Sequence, residues 1–95
     1  MSWLLFLRPH REEMPFEPTE DESRIVAEHF AYLQRLRGEG KLFVAGPSPV
    51  PGDTIGIAIF DLDDEDEVRA LVAVDPAVTS GIMIPELRPL RLSVR

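Results

Sequence analysis

The feature that most constrains this chain is a pair of short runs that are apolar on both sides. In Ser2–Arg8 the residues Trp3, Leu5 and Leu7 alternate with Leu4 and Phe6. In Thr54–Asp61 the residues Ile55, Ile57 and Ile59 alternate with Gly56, Ala58 and Phe60. Successive side chains of a strand point to opposite faces, so each run predicts a strand that needs cover above and below. Whatever the chain folds into must supply two covers for one sheet.

One cover comes from two amphipathic helices. Thr19-Glu20-Asp21-Glu22 is a capping-box pattern, with acids in the positive first turn. Beyond it Ile25, Val26, Phe30, Leu33 and Leu36 recur at the three-and-four spacing of one helical face, and Gly38 and Gly40 stop the helix near Glu39. A second helix starts at Asp63 or Asp64, buries Val68, Leu71 and Val72, and ends near Val74. Asp75 precedes Pro76, which steers it out of the helical region.

Between these elements lie a connector from His10 to Pro18, read as a surface loop, and a short strand over Lys41–Ala45. A turn-rich stretch, Gly46-Pro47-Ser48-Pro49-Val50-Pro51-Gly52-Asp53, follows that strand. From Gly81 onward Ile82, Ile84, Leu90, Leu92 and Val94 alternate as in a last strand. Pro85 and Pro89 put it at a sheet edge or bend it.

The order strand, helix, strand, strand, helix, strand is the ferredoxin-like βαββαβ arrangement, an α+β fold with a four-stranded antiparallel sheet and both helices on one face. The 95 residues fit one domain, 1–95. Two helices cover one side only, so the other apolar side calls for a second copy of the chain, sheet against sheet, as a homodimer.

Charge and composition narrow the function classes. The net charge is -7, and seven acids against Arg69 alone, a balance of -6, fall between Asp61 and Asp75. With no basic patch to follow a phosphate backbone, nucleic acid is not expected as a partner. There is no cysteine, which removes disulfides, thiolate metal sites and a thiol nucleophile. Trp3–Leu7 is too short for a signal peptide or a membrane span, so a cytoplasmic setting and no membrane partner are expected.

The acidic run Asp61–Glu67 has Asp66 where a calcium loop needs glycine, and reads as a solvated helix start. No glycine-rich phosphate cradle or dinucleotide fingerprint occurs, and no cofactor is expected. His10 with Glu12 and Glu13 makes a metal set only if His29 came close, and nothing in the sequence enforces that.

Chemistry centres on His29. It stands four residues after Ile25 and four before Leu33, on or beside the buried stripe, where an ionisable ring needs a partner. Both helices cover one sheet face, so Asp75 at the end of the second can reach it. A carboxylate there would fix the imidazole tautomer and leave one ring nitrogen free to move a proton. The alternative is a core histidine bonded to a carbonyl, with Asp75 no more than a cap. Further binding candidates are Arg8, whose fork suits a carboxylate, and Ser48 beside Gly46-Pro47.

His29, Tyr32 and Leu33, then Gly40-Lys41-Leu42, Gly46-Pro47, Gly56, Asp75-Pro76 and Gly81 follow one another as in the YCII-like (YciI) family, which this sequence resembles from about Arg24 to Leu90 and in its apolar first strand. The resemblance implies a dimeric α+β barrel and a site on a histidine and an aspartate, here His29 and Asp75. It also implies acid/base chemistry on a small, cyclic organic substrate, as in a related dehalogenase of chlorinated aromatics and in muconolactone isomerases of like fold. The chain departs from the pattern at Ala77 and Leu90, where aromatics are common. A small enzyme is therefore expected. The alternatives are a non-catalytic dimer that binds a small ligand in the same pocket, and a structural or regulatory dimer whose histidine is only packed.

Overall fold

A computed structural model describes residues 1–95. In order, the elements are β1 (Ser2–Pro9), α1 (Glu20–Gly38), β2 (Leu42–Ser48), β3 (Ile55–Phe60), α2 (Glu65–Ala73), the short α3 (Pro76–Thr79) and β4 (Met83–Leu90). The four strands form one sheet in the order β2-β3-β1-β4, every neighbouring pair antiparallel. This is the α+β, ferredoxin-like arrangement expected from the order of the elements. No helix is long and apolar enough to cross a membrane.

The two both-faced strands, β1 and β3, occupy the centre of the sheet. Trp3, Leu5 and Leu7 with Ala58 and Phe60 point to one side, where Tyr32, Leu33 and Leu36 of α1 and Val68 and Val72 of α2 close over them. Leu5, Leu36 and Phe60 are each only 1% exposed. Burial on that scale stabilises by about 1.5–3 kcal/mol per side chain, so this layer carries most of the fold's apolar free energy. The opposite side of the sheet holds Leu4, Phe6, Ile55 and Ile59, all half-buried, with Val44 and Ile84 exposed. Ile59 opposes both Leu4 and Val44, and Ile84 opposes Arg8, so these residues share a face that no helix covers.

Local rules explain where α1 begins and ends. The Thr19 hydroxyl accepts from the Glu22 amide and the Glu22 carboxylate accepts from the Thr19 amide, a complete capping box. At the other end the Lys41 amide returns to the Leu36 carbonyl around Gly40, whose φ of 77° only glycine adopts without strain.

Several expectations need correction. The second strand does not stop at Ala45 but runs on through Gly46, Pro47 and Ser48. It is an edge strand, so Pro47's missing N–H breaks no interior ladder. After α2 the chain does not simply turn, because Asp75-Pro76 starts α3 with Asp75 as N-cap and Pro76 in the first turn. In the last strand Ile84 and Leu90 line the uncovered face, while Met83 and Leu87 point to the helices, and the strand ends at Leu90. Within α1, Phe30 is 43% exposed and Glu22 is buried, so the buried stripe runs through Glu22, His29, Tyr32, Leu33 and Leu36.

The connector between β1 and α1 is more than a surface loop. Met14 is 4% exposed and packs with Ala77 and Ile82 in a second, smaller apolar cluster. The His10 amide donates to the Ile82 carbonyl, and Phe16 and Glu17 donate to Glu13, which folds the segment into successive turns.

Candidate functional site

His29 and Asp75, 46 residues apart in sequence, meet beneath α1. The His29 Nδ1–H donates to the Asp75 carboxylate, 2.7 Å from Oδ2 and 2.8 Å from Oδ1. Both residues are buried, at 3% and 2% exposure. The second acceptor bond on Oδ1 comes from the Ala77 amide at 2.9 Å, so the carboxylate that orients the ring is itself fixed by capping α3. Proline at the first position of α3 restricts the backbone beside the cap. The sequence thus spends one aspartate on two tasks, starting a helix and setting a tautomer.

With Nδ1–H committed to Asp75, the neutral ring carries its lone pair on Nε2. Nε2 makes no hydrogen bond within the protein, and no buried side-chain nitrogen or oxygen lacks a partner. Nε2 is therefore the part of the ring that is reached from outside. His29 lines a cavity of about 320 Å³ between α1, the connector and the β2–β3 end of the sheet. Asp75 does not reach the cavity wall but stands behind the ring.

Val26, His29, Phe30 and Leu33 supply the α1 side of this cavity, spaced so that they share one helical face. Met14, Pro15 and Pro18 of the connector wall it opposite, and Leu7, Gly56 and Ala58 form its floor. At Gly56 the packing is close: a Cβ added to it would stand 3.3 Å from the Leu7 Cβ, which would have to give way. The Phe30 ring lies tilted against the imidazole, with centroids 5.4 Å apart.

Of the other sequence candidates, Gly46 and Pro47 line the cavity and Ser48 does not. Arg8 also stands outside it. Arg8 is on the uncovered face of the sheet, 4.0 Å from Glu86, and lines a shallow groove with Glu12 and Asp53. His10 does not join Glu12 or Glu13. Its Nε2–H donates to Glu22 at 2.6 Å, and nowhere do three histidine, aspartate or glutamate side chains converge as a metal set.

Glu22 was legible as a cap but not as the post to which the connector is tied. Its buried carboxylate accepts from Arg11 Nε at 3.0 Å and Nη2 at 2.5 Å, besides His10 and the Thr19 amide. These bonds, led by that of Arg11, hold the Glu22 carboxyl far below the usual carboxylate range, and the same pairing raises the Arg11 guanidinium. Arg11 also donates to the Glu17 carbonyl. Connector and helix start are thereby one unit, and the connector's apolar residues become cavity wall. A lone apolar residue in a polar stretch, Met14, was the available signal for this.

Tyr32 backs the pair from the helix. Its hydroxyl donates to the Leu71 carbonyl at 2.7 Å, and burial, then the nearby Asp75 charge, raises its phenol above the ordinary value.

The arrangement can hold a small ring against a wall of apolar side chains and present one basic nitrogen to it. Comparison with solved structures finds the 5-chloro-2-hydroxyhydroquinone dehydrochlorinase of Burkholderia phenoliruptrix AC1100, in complex with 2,5-dihydroxybenzoquinone. The two superpose with a TM-score of 0.73 and 22% identity over 96% of this chain and 94% of that one, a likeness of fold. Among curated proteins, none matches the chain. The model of the YCII-related domain matches residues 1–90. With its fold and nearly its whole length accounted for in this way, the chain belongs to the YCII-related family.

Proposed function

We propose that this protein is a small acid/base enzyme of the dehalogenase type, acting on a small cyclic organic substrate, with His29 as the catalytic base and Asp75 as its positioning residue. One observation carries the reading: a buried imidazole whose Nδ1–H is held by a carboxylate while Nε2 faces an apolar cavity of ring size. The dehydrochlorinase of like fold supports the choice of reaction. Loss of HCl from a chlorinated hydroquinone proceeds through its keto form, in which one hydroxyl proton has moved to the chlorine-bearing carbon. A base then takes the proton of the opposite hydroxyl, a carbonyl and a ring double bond form, and the carbon–chlorine bond breaks, chloride leaving with the electron pair. Nε2 takes the proton, and the Asp75 charge stabilises the imidazolium that results. Gly46 and Pro47 bound the substrate, whereas Arg8 and Ser48 stand outside the proposed subsite.

The same proposal includes a cytoplasmic homodimer. The uncovered face carrying Leu4, Phe6, Val44, Ile55, Ile59 and Ile84 supports it, since a lasting interface buries about 800 Å² on each partner.

The test is chloride release from chlorinated hydroxyhydroquinones by the wild-type protein and by His29→Gln. Catalysis predicts release by the wild type and its loss, by at least about a hundredfold, in a variant that remains folded and dimeric. If wild-type release stays at background while the same rings raise Tm, the protein is a ligand-binding dimer instead.

A further inference from the structure

The polar content of the cavity wall is as informative as its shape. None of the residues that line it is lysine, arginine, aspartate or glutamate. The polar side chains are those of Ser23, His29 and Thr54, and the Thr54 hydroxyl already donates to the Val50 carbonyl at 2.9 Å. The cations nearby are engaged elsewhere: Arg11 is bonded to Glu22 and the Glu17 carbonyl, and Arg8 lies outside the wall beside Glu86. The positive end of α1 offers no anion site either, because Glu20, Asp21 and the capping Glu22 occupy its first turn.

The histidine does not supply the missing charge. With a neutral ring, the His29–Asp75 pair carries a net charge of minus one, and with a protonated ring it carries zero. In neither state does an entering anion meet net positive charge, and it would surrender its water to an apolar wall. The neutral pair, moreover, offers Nε2 as an acceptor, which rewards a ligand that brings an O–H donor.

Resting on the acid/base reading of the site, we infer that the cavity takes uncharged single-ring compounds bearing a hydroxyl and turns away the corresponding carboxylates and phosphates. Ser23, whose hydroxyl makes no hydrogen bond in the protein and stands on the cavity rim, is then the position at which charge selectivity can be changed.

Three probes of one size separate charge from hydrogen bonding: para-chlorophenol, para-chloroanisole and para-chlorobenzoate. Their affinities are measured at neutral pH from amide and ring shifts of the protein, Val26 and His29 included. The phenol should bind tightest, with the anisole, which has no donor, about tenfold weaker, equivalent to roughly 1.4 kcal/mol. The benzoate should bind at least about a hundredfold more weakly than the phenol. In Ser23→Arg, which adds a cation at an exposed position, benzoate affinity should rise by about tenfold or more.

The inference is overturned if benzoate binds wild type as well as the phenol does, if none of the three shifts His29, or if Ser23→Arg leaves benzoate unchanged. Failure of the catalytic reading looks different. Absence of chloride release with the phenol preference intact removes the reaction and leaves the selectivity. Chloride release with no discrimination against benzoate does the reverse.

Discussion

Replacing Asp75 by asparagine or by alanine should give two distinct proteins, because Oδ1 of its carboxylate is shared by His29 and the Ala77 amide while Oδ2 serves His29 alone. Oδ1 accepts from the Ala77 amide at 2.9 Å, and Oδ2 is the closer partner of His29 Nδ1, at 2.7 Å. In Asp75→Asn the Ala77 N–H fixes which way the amide faces, since a side-chain N–H cannot point at a backbone N–H. The oxygen stays on Ala77, and the NH₂ group faces Nδ1. The helix cap is kept, but Nδ1 must now accept, so the ring proton moves to Nε2. Stability should fall by no more than about 1 kcal/mol.

In Asp75→Ala both partners are orphaned. Loss of the N-cap costs about 1 kcal/mol, and an unpaired buried ring N–H costs about 1–3 kcal/mol. A total of about 2–4 kcal/mol corresponds to a fall in Tm of roughly 10–25 °C for a domain of this size. Thermal and urea denaturation measure the two losses, and long-range proton–nitrogen NMR of the imidazole shows which nitrogen is protonated. Both variants should lose base catalysis, the asparagine protein while fully folded. If Asp75→Asn is as unstable as Asp75→Ala, or keeps its proton on Nδ1, the division of labour between the two oxygens is wrong.

Other expectations follow from the connector, the floor and the open face. Glu22→Gln weakens the ties from Arg11 and His10, so the amides of Met14, Phe16 and Glu17 should exchange faster with solvent, read by hydrogen-exchange mass spectrometry. Glu22 is held below its unfolded value, so its contribution is fully present above pH of about 4.3 and is lost as pH falls towards the depressed folded value. The Tm gap between wild type and Glu22→Gln should therefore shrink in acid below that point. Gly56→Val pushes a side chain into Leu7 and the cavity, and should cost about 1–3 kcal/mol and abolish probe binding, as followed by denaturation and NMR titration. Ile59→Glu puts a charge on the uncovered face; light scattering should find a monomer where the wild type gives the proposed dimer, with the subunit's circular dichroism kept.

What the sequence made legible was whatever depends on period and on strong local punctuation. The capping box at Thr19, the stop at Gly40, the both-faced strands and the order of elements are local signals, and the fold follows from them. The meeting of His29 with Asp75 was accessible because both helices cover one face. Asp75-Pro76 was ambiguous, since a residue before proline ends one helix by the same dihedral preference that lets it cap the next. Pro47 concealed the length of β2, because proline's exclusion from strands fails at an edge. Glu22 and Met14 were hidden for another reason. Their burial depends on groups distant in sequence, Arg11 for one and Ala77 with Ile82 for the other, and no local pattern reports such pairing.

The position of β4 also bears on how the molecule is made. β1 pairs along its whole length with β4, which leaves the ribosome well after it. The connector is pinned by His10 to Ile82 and by Met14 to Ala77 and Ile82. During translation, Trp3 to Leu7 must wait for about eighty residues to follow before β1 finds its outer neighbour, exposed all the while as an apolar sheet edge. The cavity cannot exist in a nascent chain that ends before β4, even one that already carries His29 and Asp75. Ribosome-bound chains of this protein are thus candidates for chaperone capture until β4 emerges.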